Sequence, residues 1–200
     1  IGASKLSRLI ANYLQKNGRH TVLIDSNQGN IEKSRSLGLE AINTNIYSDG
    51  LQDNIELSDV GYLMALTGNP EINKYAINKF KKLFGENGSF RLVYHDEVIS
   101  EEAETEEGLF SHIHDYNKLN EIAINFPIIN EIEIESQESL KRIKELLDNE
   151  VDSVPIFLKN GNGDLTIFRP SNSNPFDEGG GFKMVYLGKP IDFEKVITKD

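Results

Sequence analysis

The sequence predicts an α/β fold with a doubly wound parallel sheet, followed by a small α+β module. In the first half of the chain, short apolar segments that suit buried strands alternate with amphipathic segments of roughly 10 to 15 residues that suit helices. Such alternation is typical of right-handed βαβ crossovers, which make the strands parallel and cover both faces of the sheet with helices. In the second half, one strand, one helix and three further strands break the alternation and indicate a separate module.

The distribution of charge also divides the chain. Residues 1–95 carry 11 Lys and Arg against 9 Asp and Glu, whereas residues 96–200 carry 10 against 23. Seven acids and no basic residue lie between Asp96 and Glu107, a run typical of a solvated connection. We therefore predict a first domain at 1–95, an acidic linker or helical connection at 96–128, and a small α+β domain at 129–200.

Composition excludes several classes of function. The net charge of -11 argues against nucleic acid or anionic lipid as a partner, because either requires a basic surface. No window approaches the roughly 18 consecutive apolar residues of a membrane span, so we expect no membrane insertion of this segment. The absence of cysteine excludes disulfides, thiolate metal sites and cysteine nucleophiles.

Each element of the first half has its own signal. Apolar residues at helical spacing predict a helix over 5–16, which Gly18 ends. Asn27 is a suitable N-cap for the second helix, and Gly38 closes it. Pro70 suits a first helical turn, where its missing N–H does no harm. The predicted order is helix 5–16, strand 20–25, helix 27–37, strand 40–42, helix 49–55, strand 62–67, helix 71–84 and strand 89–94.

The opening segment stands where a dinucleotide-binding fold has its glycine-rich turn, directly before the first helix. The N–H groups and the dipole at the start of that helix favour a pyrophosphate. Of the three positions that are glycine in such turns, only Gly2 is glycine, while Ser4 and Ser7 occupy the others. Since only Ile1 precedes Gly2, we expect the first strand of the sheet to be largely missing and the numbering to begin inside a longer chain.

Asp25 follows Gly2 by 23 residues and ends the second predicted strand. A carboxylate at this place can accept hydrogen bonds from both hydroxyls of an adenosine ribose. Its charge also disfavours a 2'-phosphate, which makes NAD or an adenine nucleotide a better ligand than NADP. The alternative is that Asp25 caps the helix that begins at Asn27 and that residues 2–7 form an ordinary βα turn.

Five segments together resemble a known family. They are Gly2-Ala3-Ser4-Lys5-Leu6-Ser7, Val22 to Asn27, Asn30-Ile31, Asn45 to Asp49, and Leu66 to Asn73. Over roughly residues 1–94 the chain resembles the nucleotide-binding domain of the RCK group, also called the TrkA-N type. Domains of this group are Rossmann-like and lie on the cytoplasmic side of potassium channels, potassium uptake systems and cation/proton antiporters.

The resemblance implies a nucleotide site at the carboxyl edge of the sheet. It places phosphates on the backbone from Ala3 to Leu6, ribose on Asp25, and adenine near Ser26, Asn45 and Ile46. The implied cofactor-binding residues are Gly2, Ala3, Ser4, Lys5, Leu6, Asp25, Ser26, Asn27, Asn45, Ile46, Thr67 and Asn69. Asn45 stands where many members have an Asp. The resemblance leaves open whether the ligand is NAD, ATP, ADP or AMP, or whether the site binds no nucleotide.

The second half carries weaker but distinct signals. Ser136 caps a helix over 137–148, and a turn rich in Asn and Gly joins two strands as a hairpin. The predicted strands are 130–135, 154–159, 165–169 and 182–187. This unit resembles the small C-terminal domain that follows the nucleotide-binding domain in many RCK proteins, and Leu187-Gly188 fits that pattern.

From the resemblance we expect a cytoplasmic regulatory module of a monovalent cation transporter, a Na+(K+)/H+ antiporter, at the inner membrane. Nucleotide-dependent domain motion would gate transport, the expected unit is a homodimer, and the membrane transporter portion would belong to the same longer chain. We expect no enzymatic activity and no catalytic residue. One alternative is an NAD-dependent oxidoreductase with His95 as proton donor, and another is a nucleotide-free scaffold. His112 and His114 fit surface histidines better than a metal site.

Overall fold

The computed structural model of the chain describes residues 1–48, 61–84, 88–94, 108–110, 115–168 and 181–191. The helix predicted at 49–55, the acidic run between Asp96 and Glu107, and three of the four histidines, His95, His112 and His114, lie outside the described residues. Within these described ranges, no helix is long and apolar enough to cross a membrane.

The first half consists of alternating helices and strands. They are α1 (Lys5–Lys16), β1 (Val22–Asp25), α2 (Gln28–Ser36), β2 (Glu40–Asn43), β3 (Leu63–Ala65), α3 (Pro70–Phe84) and β4 (Ser89–Arg91). The predicted helices at 5–16, 27–37 and 71–84 are therefore confirmed to within a residue or two. Three of the four predicted strands are shorter than expected, because regular pairing stops where the neighbouring strand ends.

Local capping explains the helix boundaries. Ser4 is the N-cap of α1, and its hydroxyl accepts the Ser7 N–H at 3.3 Å. Asn27 is the N-cap of α2, and its side chain accepts the Asn30 N–H at 3.1 Å. Gly38, just after α2, adopts a φ of 74°, a left-handed conformation that glycine tolerates best.

The strands of the first half form two parallel pairs that meet at Ile1. β1 pairs with β2, and β3 pairs with β4. Between the pairs, the Ile1 carbonyl accepts the Leu66 N–H at 2.8 Å, while the Gly2 N–H donates to the Ile24 carbonyl at 2.8 Å. The spatial order is thus β2, β1, Ile1, β3, β4. Where one doubly wound sheet was expected, the described strands form two pairs, because only the short segment Ile1-Gly2 lies between them.

A cavity of about 580 Å³ lies next to Ile1, between the two parallel pairs. Its walls come from β1, β3, α1 and the hairpin of the second half, and they include Ile10, Leu23, Met64 and Phe157. Most of the lining side chains are apolar, and Arg19 and Asp164, which are 3.0 Å apart, are among the charged ones.

The second half is the predicted α+β unit with one additional helix before it. Its elements are α4 (Tyr116–Asn125), β5 (Ile129–Ile134), α5 (Gln137–Asn149), β6 (Ser153–Asn160), β7 (Leu165–Ile167) and β8 (Phe182–Gly188). The four strands form an antiparallel sheet in the order β5-β8-β6-β7. Leu140, Ile143 and Leu147 of α5 pack on one face of this sheet.

The two halves share one hydrophobic core. The other face of the antiparallel sheet contributes Val154, Ile156 and Phe157 to a buried cluster that also contains Leu6 and Ile10 of α1. Burial of this apolar surface favours a fixed arrangement of the halves over independent tumbling.

A polar cluster crosses the same interface at its edge. The Tyr13 hydroxyl donates to Glu131 Oε1 at 2.7 Å, and Lys159 Nζ lies 3.0 Å from that oxygen. Lys183 Nζ lies 3.4 Å from Glu131 Oε2, and the Tyr13 ring stacks on Phe157 with centroids 6.1 Å apart. Burial raises the pKa of Tyr13, as does its bond to Glu131. Partial burial alone would raise the pKa of Glu131, but the bonds from Tyr13 and Lys159 outweigh it and lower that pKa.

Replacing Gly188 tests the junction between β6 and β8. Its φ is 126°, and a Cβ there would lie 2.0 Å from the Asp152 carbonyl oxygen. We expect Gly188→Ala to lower the free energy of unfolding by about 2–3 kcal/mol. Gly163 has a φ of 86° with nothing within 4 Å, so Gly163→Ala should cost only about 1 kcal/mol. Equal losses in urea unfolding would contradict this account.

The interface cluster predicts a pH dependence. Because the folded-state pKa of Glu131 lies below its ordinary value of 4.5, the stability that it contributes is present above pH 4.5 and is lost as the pH falls through the folded-state value. We expect Glu131→Gln to flatten the acid side of the stability curve, measured by thermal unfolding. Tyr13→Phe should flatten the acid side of the curve less. If the curves of both variants run parallel to that of wild type, Glu131 does not contribute the pH-dependent stability.

Candidate functional site

The turn at residues 2–7 lies between the ends of β1 and β3. Gly2 has a φ of 90°, and a Cβ at this residue would lie 2.9 Å from the Leu66 carbonyl oxygen and 3.2 Å from Thr67 Cγ2. The first position of the predicted turn therefore requires glycine for two reasons, the backbone conformation and the close approach of β3. Ser7 is 2% exposed, so the third position has room only for a small side chain.

The backbone N–H groups of this turn are partly occupied by the protein itself. The Ala3 N–H donates to Asp25 Oδ2 at 2.8 Å, and the Leu6 N–H donates to Asn120 Oδ1 at 3.4 Å. Among the described residues, the N–H groups of Ser4 and Lys5 have no hydrogen-bond partner. These two donors lie at the positive end of the α1 dipole, where an anion is stabilised.

Asp25 connects the turn to the start of α2. Besides the Ala3 N–H, its carboxylate accepts the Asn27 N–H at 2.8 Å and Asn30 Nδ2 at 3.1 Å. Asp25 does not cap α2 as the alternative interpretation expects, because Asn27 is the N-cap, but its carboxylate holds Asn27 and the Asn30 side chain at the start of that helix. Among the residues that the structure describes, Oδ1 receives only the bond from Asn27, which leaves acceptor capacity for a further donor such as a hydroxyl.

Arg8 is a charged residue near the turn that the sequence analysis missed. Its guanidinium is half-buried and donates through Nη1 to the Ala3 carbonyl. Burial lowers its pKa, while the charge of Asp25 opposes that shift. Lys5, in contrast, is exposed. The turn therefore has two positive side chains nearby, Arg8 bonded to its backbone and Lys5 exposed at the surface.

The residues that follow β1 and β2 form a second wall. Asn43 Nδ2 donates to the Ser26 carbonyl at 3.1 Å, which holds the ends of the two strands together. Ser26 and Asn45 are exposed, whereas the Ile46 side chain is 6% exposed and packs in the core with β1, β3 and α3. The backbone carbonyl of Ile46 accepts a hydrogen bond from Lys79 Nζ at 2.8 Å.

A fixed polar loop follows β3. Asn73 is fully buried, and its Oδ1 accepts the Thr67 N–H at 3.1 Å and the Thr67 hydroxyl at 2.7 Å. Asn69 Oδ1 accepts the N–H groups of Glu71 and Ile72 and so caps α3. The Tyr94 hydroxyl donates to the Thr67 carbonyl at 2.7 Å. Thr67 and Asn69 are therefore positioned beside the turn by bonds that also shape their own loop.

Helix α4 contacts the site from the second half of the chain. Asn120 reaches the Leu6 N–H, and a Cβ added to Gly68 would lie 2.8 Å from the ring of Tyr116. The sequence analysis assigned these two residues to the acidic linker or helical connection at 96–128. No local signal points to their contacts, since Asn120 lies 114 positions from Leu6 in the chain.

The structure brings together some of the predicted residues more closely than others. Gly2 to Leu6, Asp25, Asn27 and Thr67 are linked by hydrogen bonds or direct contact. Ser26, Asn45 and Ile46 line the neighbouring strand ends, and Asn69 lies in the loop after β3. The described ranges bring together no group of three or more His, Cys, Asp or Glu suited to a metal ion.

Comparison with known proteins identifies the first half. A family model described as the TrkA-N domain matches residues 1–106, which is just over half of the chain. The match extends beyond the domain boundary predicted at residue 95. No curated protein matches the sequence.

Replacing Asp25 tests its role in holding the turn. Asp25→Ala removes an acceptor from three donors, and we expect it to lower the free energy of unfolding by about 2–4 kcal/mol. Asp148, exposed near the end of α5, provides the control, since Asp148→Ala should change stability by less than about 0.5 kcal/mol. A similarly small change in Asp25→Ala, measured by urea unfolding, would show that the carboxylate does not hold the turn.

Proposed function

Because the chain belongs to the TrkA-N domain family, we propose that it binds a nucleotide at the turn of residues 2–7 and uses that binding to regulate ion transport. Members of this family have a Rossmann-like α/β fold and are nucleotide-binding regulatory modules of potassium transport systems. The family therefore accounts for the parallel strand pairs and for the position of the turn.

The observation that carries the proposal is the pair of unoccupied donors at the start of α1. Among the described residues, the N–H groups of Ser4 and Lys5 lack partners, and the glycine at position 2 lets the turn approach the end of β3, where a Cβ would meet the Leu66 carbonyl oxygen. Together with the charges of Lys5 and Arg8, this arrangement suits a phosphate group. The residues present therefore fit the phosphates of a nucleotide.

NAD(H) is the ligand that we propose first. TrkA-N domains typically bind NAD(H) nucleotides, and the charge of Asp25 disfavours the 2'-phosphate of NADP. The spare acceptor capacity of Asp25 Oδ1 is compatible with a ribose hydroxyl as donor. ATP, ADP and AMP share the adenosine and phosphate groups, so they are the ligands to compare.

We propose a regulatory and not a catalytic role for the chain. The transporter would be a monovalent cation system, specifically a Na+(K+)/H+ antiporter of the inner membrane, with this segment on the cytoplasmic side. The transporter portion would lie in the same longer chain, and two copies of the segment would pair as a homodimer. The nucleotide would favour one arrangement of domains over another, since a ligand shifts an equilibrium only by its difference in affinity for the two states.

Thermal unfolding of the chain against NAD, NADH, ATP, ADP and AMP tests the proposal. A ligand at 100 times its dissociation constant should stabilise the protein by about 2.7 kcal/mol. Lys5→Glu reverses a charge beside the two free donors, and we expect it to weaken binding about tenfold or more. Lys16→Glu, at the other end of α1, is the matched control and should bind as wild type does. If none of the five nucleotides raises the unfolding temperature, the proposal is contradicted.

A further inference from the structure

Helix α4 takes one of the donors that a nucleotide phosphate would use. We propose that α4 is an autoinhibitory element of the nucleotide site, in which Asn120 and the ligand compete for the Leu6 N–H. This inference rests on the proposed function, because it assumes that a phosphate binds at the start of α1. It adds the means by which the second half of the chain controls that site.

The Leu6 N–H belongs to the same group of donors as those of Ser4 and Lys5. All three lie in the first turn of α1, where no carbonyl within the helix is available to accept them. Asn120 Oδ1 accepts the Leu6 N–H at 3.4 Å, at the long limit for such a bond. A phosphate oxygen forms shorter and stronger bonds with N–H donors, so it can replace the amide oxygen.

Tyr116 brings α4 against the opposite side of the site. Its ring carbons lie 2.8 and 2.9 Å from the place where Gly68 would carry a Cβ, so the ring packs directly on the loop between Thr67 and Asn69. This contact is independent of Asn120. Helix α4 therefore contacts both the turn at the start of α1 and the loop after β3, two of the segments that border the proposed site.

The rest of α4 is attached to the second half of the chain. Leu119, Ile122 and Ala123 are buried in the shared core, and Lys118 Nζ lies 3.0 Å from Asp152, directly before β6. Displacement of Asn120 would therefore act on a helix that packs against the antiparallel sheet. By thermodynamic linkage, withdrawal of α4 would raise the nucleotide affinity by the same factor by which bound nucleotide favours the withdrawn position of α4.

Three variants of α4 test the competition. Asn120→Ala frees the Leu6 N–H, and we expect NADH to bind roughly 3- to 10-fold more tightly, the equivalent of one neutral hydrogen bond. Asn120→Asp puts a carboxylate where the phosphate would bind, and we expect NADH to bind this variant at least about tenfold more weakly than wild type. Asn117→Ala changes an exposed residue of the same helix and should bind as wild type does. A merely structural role would weaken binding in both Asn120 variants.

Hydrogen exchange at the Leu6 amide separates failure of this inference from failure of the proposed function. Without nucleotide, the Leu6 amide should exchange faster in Asn120→Ala than in wild type. If wild type binds NADH and Asn120→Ala binds no more tightly, or if the exchange rate is unchanged, the inference alone is wrong. If neither protein binds any of the five nucleotides, the proposed function fails and this inference fails with it.

Discussion

The close approach of the Gly2 backbone to both parallel strand pairs is the constraint on which the rest of the first half depends. Its N–H bonds to Ile24 of β1, and its Cα lies so near the end of β3 that no Cβ would fit. Helix α1 starts directly after this contact, and its first turn is tied to Asp25 through Ala3. One glycine thus positions the helix dipole, the free donors and the acidic side chain around the same space.

Local signals were sufficient to predict most elements. The apolar period of α1, the Asn27 and Gly38 boundaries of α2, and the Ser136 cap of α5 each act within a few residues. Strand lengths were less accurate, because a strand ends where its partner does, and the partner lies elsewhere in the chain. The order of the strands around Ile1 likewise depends on contacts between distant residues.

Long-range contacts explain what the sequence could not predict at the site. The sequence indicates Gly2 and Asp25 through their spacing, but the contact of Asn120 with Leu6 spans 114 positions and leaves no local pattern. Arg8 lies outside the glycine-turn pattern and was missed although it is only one helical turn from Ser4. The shared core, which links α1 to the antiparallel sheet, also arises from residues far apart in the chain. These contacts give the second half a direct physical route to the proposed nucleotide site.

The most direct test of the account is an NMR titration of the isotope-labelled chain with NADH. The account predicts that the largest amide shift changes occur at Ser4, Lys5 and Leu6, and that the Asn120 side-chain amide changes with the same concentration dependence. That result would connect binding at the turn with release of α4. Binding that leaves these four signals unchanged, with shifts confined to other parts of the chain, would contradict the account.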